Sequence, residues 1–276
     1  MARGAAKVLI FALPVLALLA LGLMMITRWR ESANRTRCQD NLRQLGWFAM
    51  WQFTDRDFAK STKGDHIDAK REGELDPGRA FPAGTIANAA LPPERRLSWQ
   101  VTLLPYVGRD DVYKQFDLTK AWDDEANHAA LITKVPVLAC PTLYAVPPSG
   151  EPQLACYLGM AGLGADAPTL PATDPRAGFF RNDDPTKTGQ IKRGLSNTMT
   201  MIESTRQLGP WAAGGPPTVR GVDTNEQPYV GLNRQFGAHP AGCNVAYADG
   251  SVRFMSNLID PKVFEMLVSL ADYSER

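Results

Sequence analysis

Residues 8–26 read VLIFALPVLALLALGLMMI, nineteen positions without a charge. As an α-helix rising ~1.5 Å per residue the run spans ~29 Å, the hydrocarbon thickness of a bilayer. The pattern predicts a membrane span, in which Pro14 is tolerated. A cleaved signal peptide is the rival reading, but its apolar region is about 7–15 residues with a small-residue site beyond. Here the run is longer and ends Met24-Met25-Ile26-Thr27-Arg28, which favours a retained anchor. Beyond it the apolar positions become periodic. Cys38, Leu42, Leu45 and Ala49, with Phe48 and Phe53, recur at steps of three and four, the stripe of an amphipathic helix. One helix is expected from about residue 8 to about 55, apolar all round in its first half and one-faced in its second.

Residues 60–96 are charged and rich in Gly and Pro without a period, and read as a long loop. A short helix is expected in SWQVTLLPYV (98–107), and another from Asp124 to Pro136. TMTMIE (198–203) reads as a strand among Gly-rich loops such as GPWAAGGPP (209–217). Near the C-terminus, 244–248 and 251–255 flank Asp249-Gly250, the signature of a two-residue hairpin turn. That register sets Tyr247 opposite Val252 and Val245 opposite Phe254, all on one face. A last helix is expected after Asp260, with Pro261 in its first turn and Phe264, Leu267 and Val268 on its buried side.

Charge changes the picture in two ways. Residues 1–37 carry six Lys/Arg against one acid, Glu31, while residues 38–276 carry a net charge of −4. A mildly acidic body argues against nucleic acid as a partner, which needs a basic surface to displace counterions. Four of the basic residues follow the apolar run, which by the positive-inside rule alone leaves the body in the cytoplasm. The cysteines point the other way. Cys38, Cys140, Cys156 and Cys243 are even in number and lack CxxC spacing, so two disulfides or four buried thiols both remain open.

Catalytic signatures are sparse. GLGADA (162–167) fits a loose dinucleotide fingerprint, but Pro168 and Pro171 forbid the helix that would hold the pyrophosphate. No HExxH or EF-hand spacing occurs, and the histidines are His66, His128 and His239. His239 precedes Asp249 by ten positions; metal ligation or general-base work is one reading of it, a structural hydrogen bond to a backbone carbonyl the other, and the structural role is favoured. Asp123-Asp124-Glu125 suits a helix N-terminus better than a catalytic pair. No catalytic, cofactor-binding or metal-binding residue is therefore assigned.

The succession of an N-terminal span, ANRTRCQDNLRQLG (33–46), FP (81–82), LSWQVTLLPYV (97–107), a Cys-Pro step (140–141), GLSNTMTMIE (194–203) and His239-x9-Asp249-Gly250 with DGSVRF resembles a planctomycete-type family of bacterial prepilin-like proteins of unknown function. The resemblance covers nearly the whole chain. It implies the α+β, pilin-like architecture of type IV pilins and type II secretion pseudopilins: a long N-terminal helix packed on an antiparallel β-sheet, with extra loops and short helices. It implies a body outside the cytoplasmic membrane, a bridge between Cys38 and Cys140, and Cys156 with Cys243 as a second pair or as free thiols. His239, Asp249 and Gly250 occupy the places of the family motif. Members with a processed leader carry a Gly-Phe-Thr-Leu-x-Glu start; GAAKVLIFALP departs from it and the span holds no Glu, so permanent anchoring is expected.

The organisation expected is an anchor over 1–28, its amphipathic extension over 29–58 and an extracytoplasmic globular domain over 59–276. The leading functional reading is a non-enzymatic, membrane-anchored structural or interaction protein of the cell envelope, with other pilin-like subunits or envelope proteins as partners. A minor pseudopilin of a secretion filament is the first alternative. The second is a carbohydrate- or metal-binding module built on His239, with Trp122 and Trp211 as sugar-stacking platforms.

Overall fold

The computed structural model describes residues 2–54, 80–143 and 148–272, with side chains described for 16–47 of the first helix. The expected loop therefore falls in part, over 60–79, outside the described residues, as do His66 and the side chains of 8–15, Phe48, Ala49 and Phe53. Helix α1 runs Ala2–Thr54 without a break. Its exposure changes sharply along its length. Leu16, Leu18, Leu19, Leu21, Leu23, Met24, Met25 and Ile26 are each more than half exposed, whereas Cys38, Leu42 and Leu45 are fully buried. Among the described residues no helix is long and apolar enough to cross a membrane.

The body is α+β. Five strands, β1 (Tyr157–Leu163), β2 (Met199–Glu203), β3 (Val219–Val222), β4 (Gly242–Tyr247) and β5 (Val252–Ser256), form one sheet in the order β3-β1-β2-β4-β5. The sheet is mixed where an antiparallel one was expected, because β3 pairs parallel to β1. The chain leaves β2, crosses the end of the sheet through 204–218, and returns on the far edge of β1. The Gly-rich run 209–217 makes that crossing, anchored by the fully buried Trp211, whose indole N–H donates to the Leu131 carbonyl at 3.0 Å.

The sheet separates two apolar clusters. On one face Tyr157, Ala161, Met201, Val219, Ala246 and Val252 pack with Cys38, Leu42 and Leu45 of α1 and with Trp99, Phe179, Phe180 and Trp211. On the other, Leu158, Met160, Ile202, Val245 and Met255 meet Phe264 and Val268 of the C-terminal helix. Short helices α2 (Trp99–Thr102), α3 (Asp110–Tyr113) and α4 (His128–Leu131) brace the first face. The Ser98 hydroxyl caps α2 and the Asp124 carboxylate caps the turn into α4, each accepting a backbone N–H two residues on. The last helix, α5 (Pro261–Val268), starts at Asp260, whose carboxylate accepts from the N–H groups of Lys262 and Val263.

The C-terminal hairpin differs from expectation by one residue. Ala246 pairs with Val252 and Val245 with Arg253, while Tyr247 and Ser251 close a three-residue loop in which Gly250 adopts φ +79°. This is a type I turn ending in a left-handed glycine, not the two-residue turn that Asp-Gly also favours. A slip of one position exchanges the faces. Val252 joins the α1 side, and Arg253 lies over the Tyr247 ring, 4.7 Å from its centroid.

Candidate functional site

The lower half of α1 lies across β4, and the polar residues of this seam converge on one buried cluster. Helical spacing brings Glu31, Arg35 and Cys38 to the sheet on one face. Strand β2 ends in Glu203, fully buried although the rest of the strand is uncharged. The turn into β4 supplies His239, closed by mutual backbone hydrogen bonds between His239 and Gly242. Cys140 arrives from the loop after α4.

His239 is 1% exposed and stands between two carboxylates. Its Nδ1 lies 2.6 Å from Glu31 Oε1, and its Nε2 lies 3.3 Å from Glu203 Oε2 without a well-aligned hydrogen bond. Glu203 is held in turn by Asn244, whose backbone N–H donates to Oε2 at 2.6 Å and whose side-chain amide donates to Oε1 at 3.2 Å. The same amide donates to the Arg35 carbonyl of α1 at 3.2 Å. Beside these groups the sulfurs of Cys38 and Cys140 lie 2.8 Å apart. The ligand atoms of Cys38, Cys140, Glu203 and His239 all fall within 4.8 Å of one another, and all four residues are buried.

The electrostatics follow from this crowding. Burial disfavours the imidazolium of His239, but the adjacent Glu203 carboxylate, and then the hydrogen bond to Glu31, outweigh it and hold its pKa at about 8. The sulfurs of Cys38 and Cys140 lie close enough to titrate as a pair. The hydrogen bond to Cys140, then burial, pushes the Cys38 thiol well above its ordinary range, and the same bond lowers Cys140. Burial raises Cys156 and Cys243.

The structure gathers some of the expected residues and separates others. Cys38 and Cys140 meet, 102 positions apart in sequence. Cys156 adjoins them, its sulfur accepting the Cys140 backbone N–H at 2.9 Å, whereas Cys243 belongs to the cluster on the opposite face of the sheet; all four cysteines are free thiols. His239 bonds through Nδ1 to the Glu31 carboxylate, not to the backbone carbonyl that its structural role implied. Asp249 and Gly250 lie beyond the other end of β4. The Asp249 carboxylate accepts from the Ser251 N–H at 2.9 Å, and Gly250 approaches Gly46 of α1 closely enough that a Cβ on Gly46 would lie 3.8 Å from it. The nine-residue spacer is thus the length of β4 with its turns, and α1 touches both ends. Trp211 is buried, not an exposed platform, and the Trp122 indole donates to the Glu94 carbonyl. His128 is exposed and remote from the cluster in its interactions.

Glu31, Glu203 and Asn244 escaped the sequence reading. The signal available was oddity of place: Glu31 is the sole acid of residues 1–37, and Glu203 closes an otherwise uncharged strand. A separate cleft of about 270 Å³ lies at the β3 edge, lined by Arg206, Arg220, Asp223 and Glu226. Its cations are engaged already, Arg206 with Glu226 and Arg220 with the carbonyls of Arg206 and Gln207.

Residues 27–225 and 205–262 match the model of a family described as a protein of unknown function, DUF1559. No curated protein and no solved structure matches the chain.

Proposed function

The chain belongs to the DUF1559 family, and from that premise we propose that it is a membrane-anchored, pilin-like structural and interaction protein of the cell envelope, its body facing outside the cytoplasmic membrane. The observation that carries the reading is the contrast within α1. Eight large apolar side chains over residues 16–26 are 54–69% exposed, a cost in water of roughly 25 cal/mol per Å² of apolar surface. A helix apolar all round needs lipid or partner helices about it. The uncharged residues 8–15 extend the run to bilayer length. The buried half of the same helix fixes this apolar segment to the body, as expected of a stalk that presents a folded head.

Fractionation of cells producing the full chain tests the reading. The wild-type protein is expected to remain with membranes after alkaline carbonate extraction, and external protease is expected to digest the body in spheroplasts. Leu19→Arg with Leu23→Arg, both at exposed positions, is expected to release it while the purified variant melts as the wild type does. Release of the wild-type chain by carbonate would refute the anchor. A body protected from external protease would refute the orientation.

A further inference from the structure

We propose that Cys38, Cys140, Glu203 and His239 form a zinc site that clamps α1 onto the sheet. The inference is independent of the membrane reading, since it rests on the seam between α1 and the body alone. Four potential ligands from four separate segments, two sulfurs, one imidazole nitrogen and one carboxylate oxygen, fall within 4.8 Å of one another. Two sulfurs with one nitrogen and one oxygen form a donor set suited to Zn²⁺, which accepts Cys, His and carboxylate in tetrahedral array.

Two features of the geometry point to a cation rather than to a filled apolar core. First, His239 Nε2 is a buried polar atom without a hydrogen-bond partner, lying 3.3 Å from Glu203 Oε2. Bonds of about 2.0–2.1 Å to a tetrahedral zinc set a nitrogen and an oxygen about 3.3 Å apart, so this edge already has the required length. Second, the other ring nitrogen faces Glu31 Oε1 at 2.6 Å. A carboxylate that accepts the Nδ1–H hydrogen bond fixes the tautomer of the neutral ring and leaves its Nε2 lone pair facing the other ligands, the arrangement found behind metal-bound histidines. Asn244 plays the matching part for Glu203, donating to both of its oxygens.

Loading asks little of the framework. Zinc–sulfur bonds of about 2.3 Å separate two sulfurs by about 3.8 Å, so the 2.8 Å pair opens by about 1 Å. Each thiol loses its proton to solvent as its Zn–S bond forms, and the His239 imidazolium, favoured below about pH 8, loses its Nε2 proton likewise; the neutral ring keeps its Nδ1 proton and donates the Nε2 lone pair. Two thiolates and one carboxylate leave the loaded site with one net negative charge, opposed by the two N–H donors of Asn244. Glu31, about one-third exposed, stands at the rim where an ion enters.

The test uses the full-length chain in detergent with reductant and no chelator, titrated with Co²⁺ as the spectroscopic stand-in for zinc. The expected result is a thiolate-to-cobalt charge-transfer band saturating at one equivalent and bleached by one equivalent of Zn²⁺. The band should vanish in the Cys38→Ser Cys140→Ser double variant and survive unchanged in Cys243→Ser. Glu31→Gln, a positioning change that touches no ligand atom, should weaken Co²⁺ binding by about 10–100-fold. The wild-type titration needs no variant to fold. Absence of the band in the reduced wild-type chain, or its persistence in the double cysteine variant, overturns the proposal. So does a chain whose Cys38 and Cys140 are joined as a disulfide and which, once reduced, still binds no metal.

Discussion

Replacing Leu42 by Ala tests whether the lower half of α1 is part of the core. Leu42 is fully buried in the cluster that includes Cys38, Leu45 and Tyr157. Removing three carbons forfeits about 2.4 kcal/mol at ~0.8 kcal/mol per buried carbon group, and the cavity left between helix and sheet adds to this. The total should lie at about 3–4 kcal/mol, inside the range for buried Leu→Ala changes of about 2–5 kcal/mol. At about 2–4 °C per kcal/mol, the melting midpoint should fall by about 6–16 °C. Leu19→Ala is the control on the same helix, at a site 64% exposed, where the expected change is within about 0.5 kcal/mol. Both proteins are melted in the same detergent and followed by circular dichroism. Equal midpoints for Leu42→Ala and wild type would show that α1 does not pack as described.

Two further predictions follow from the seam. In the metal-free, chelated chain, His239 titrates near 8 in the folded state against about 6.5 unfolded; the groups facing it are Glu31 and Cys38 from α1, Glu203 from β2 and Cys140. A raised pKa contributes stability that is complete below pH ~6.5 and lost as pH rises through about 8, about 2 kcal/mol in all. Urea melts between pH 6 and 9 should show that decline, and a flat profile would contradict the ion pairs. Gly242→Ala should be severely destabilising, because Gly242 has φ +150° and a Cβ there would lie 1.9 Å from the Met255 carbonyl oxygen. A melt within about 1 kcal/mol of wild type would refute the close pairing of β4 and β5.

Much of the architecture was legible wherever a local rule decided it. The three-and-four spacing of Cys38, Leu42 and Leu45 marks the buried stripe because a helix has one period whatever it packs against. Asp260 announces α5 because a carboxylate cap satisfies N–H groups two and three residues on. The hairpin was legible as a hairpin but not in register, since Asp249-Gly250 serves both a two-residue turn and the end of a three-residue loop, and the choice depends on strands not yet paired. The parallel partnership of β1 and β3 left no local mark. It depends on where a long crossing deposits the chain.

The cluster was harder still. Glu31 looks like one more charge beside a basic stretch, and Glu203 like the polar end of a strand; their meaning lies in positions more than 30 residues away. The interval between His239 and Asp249 measures a strand with its turns, a length that no local rule ties to either residue. The cysteines behaved differently, since Cys38 and Cys140 meet as the family resemblance implied, though as free thiols.

Because α1 is unbroken between its exposed and buried halves, the two are locked in rotational phase. One residue inserted between 27 and 31 would turn the apolar segment by about 100° relative to the sheet, whereas seven would return it to within about 20° of its starting bearing. The bearing of the apolar segment relative to the body is thus written into a count of residues, and an insertion of one whole heptad leaves it nearly unchanged.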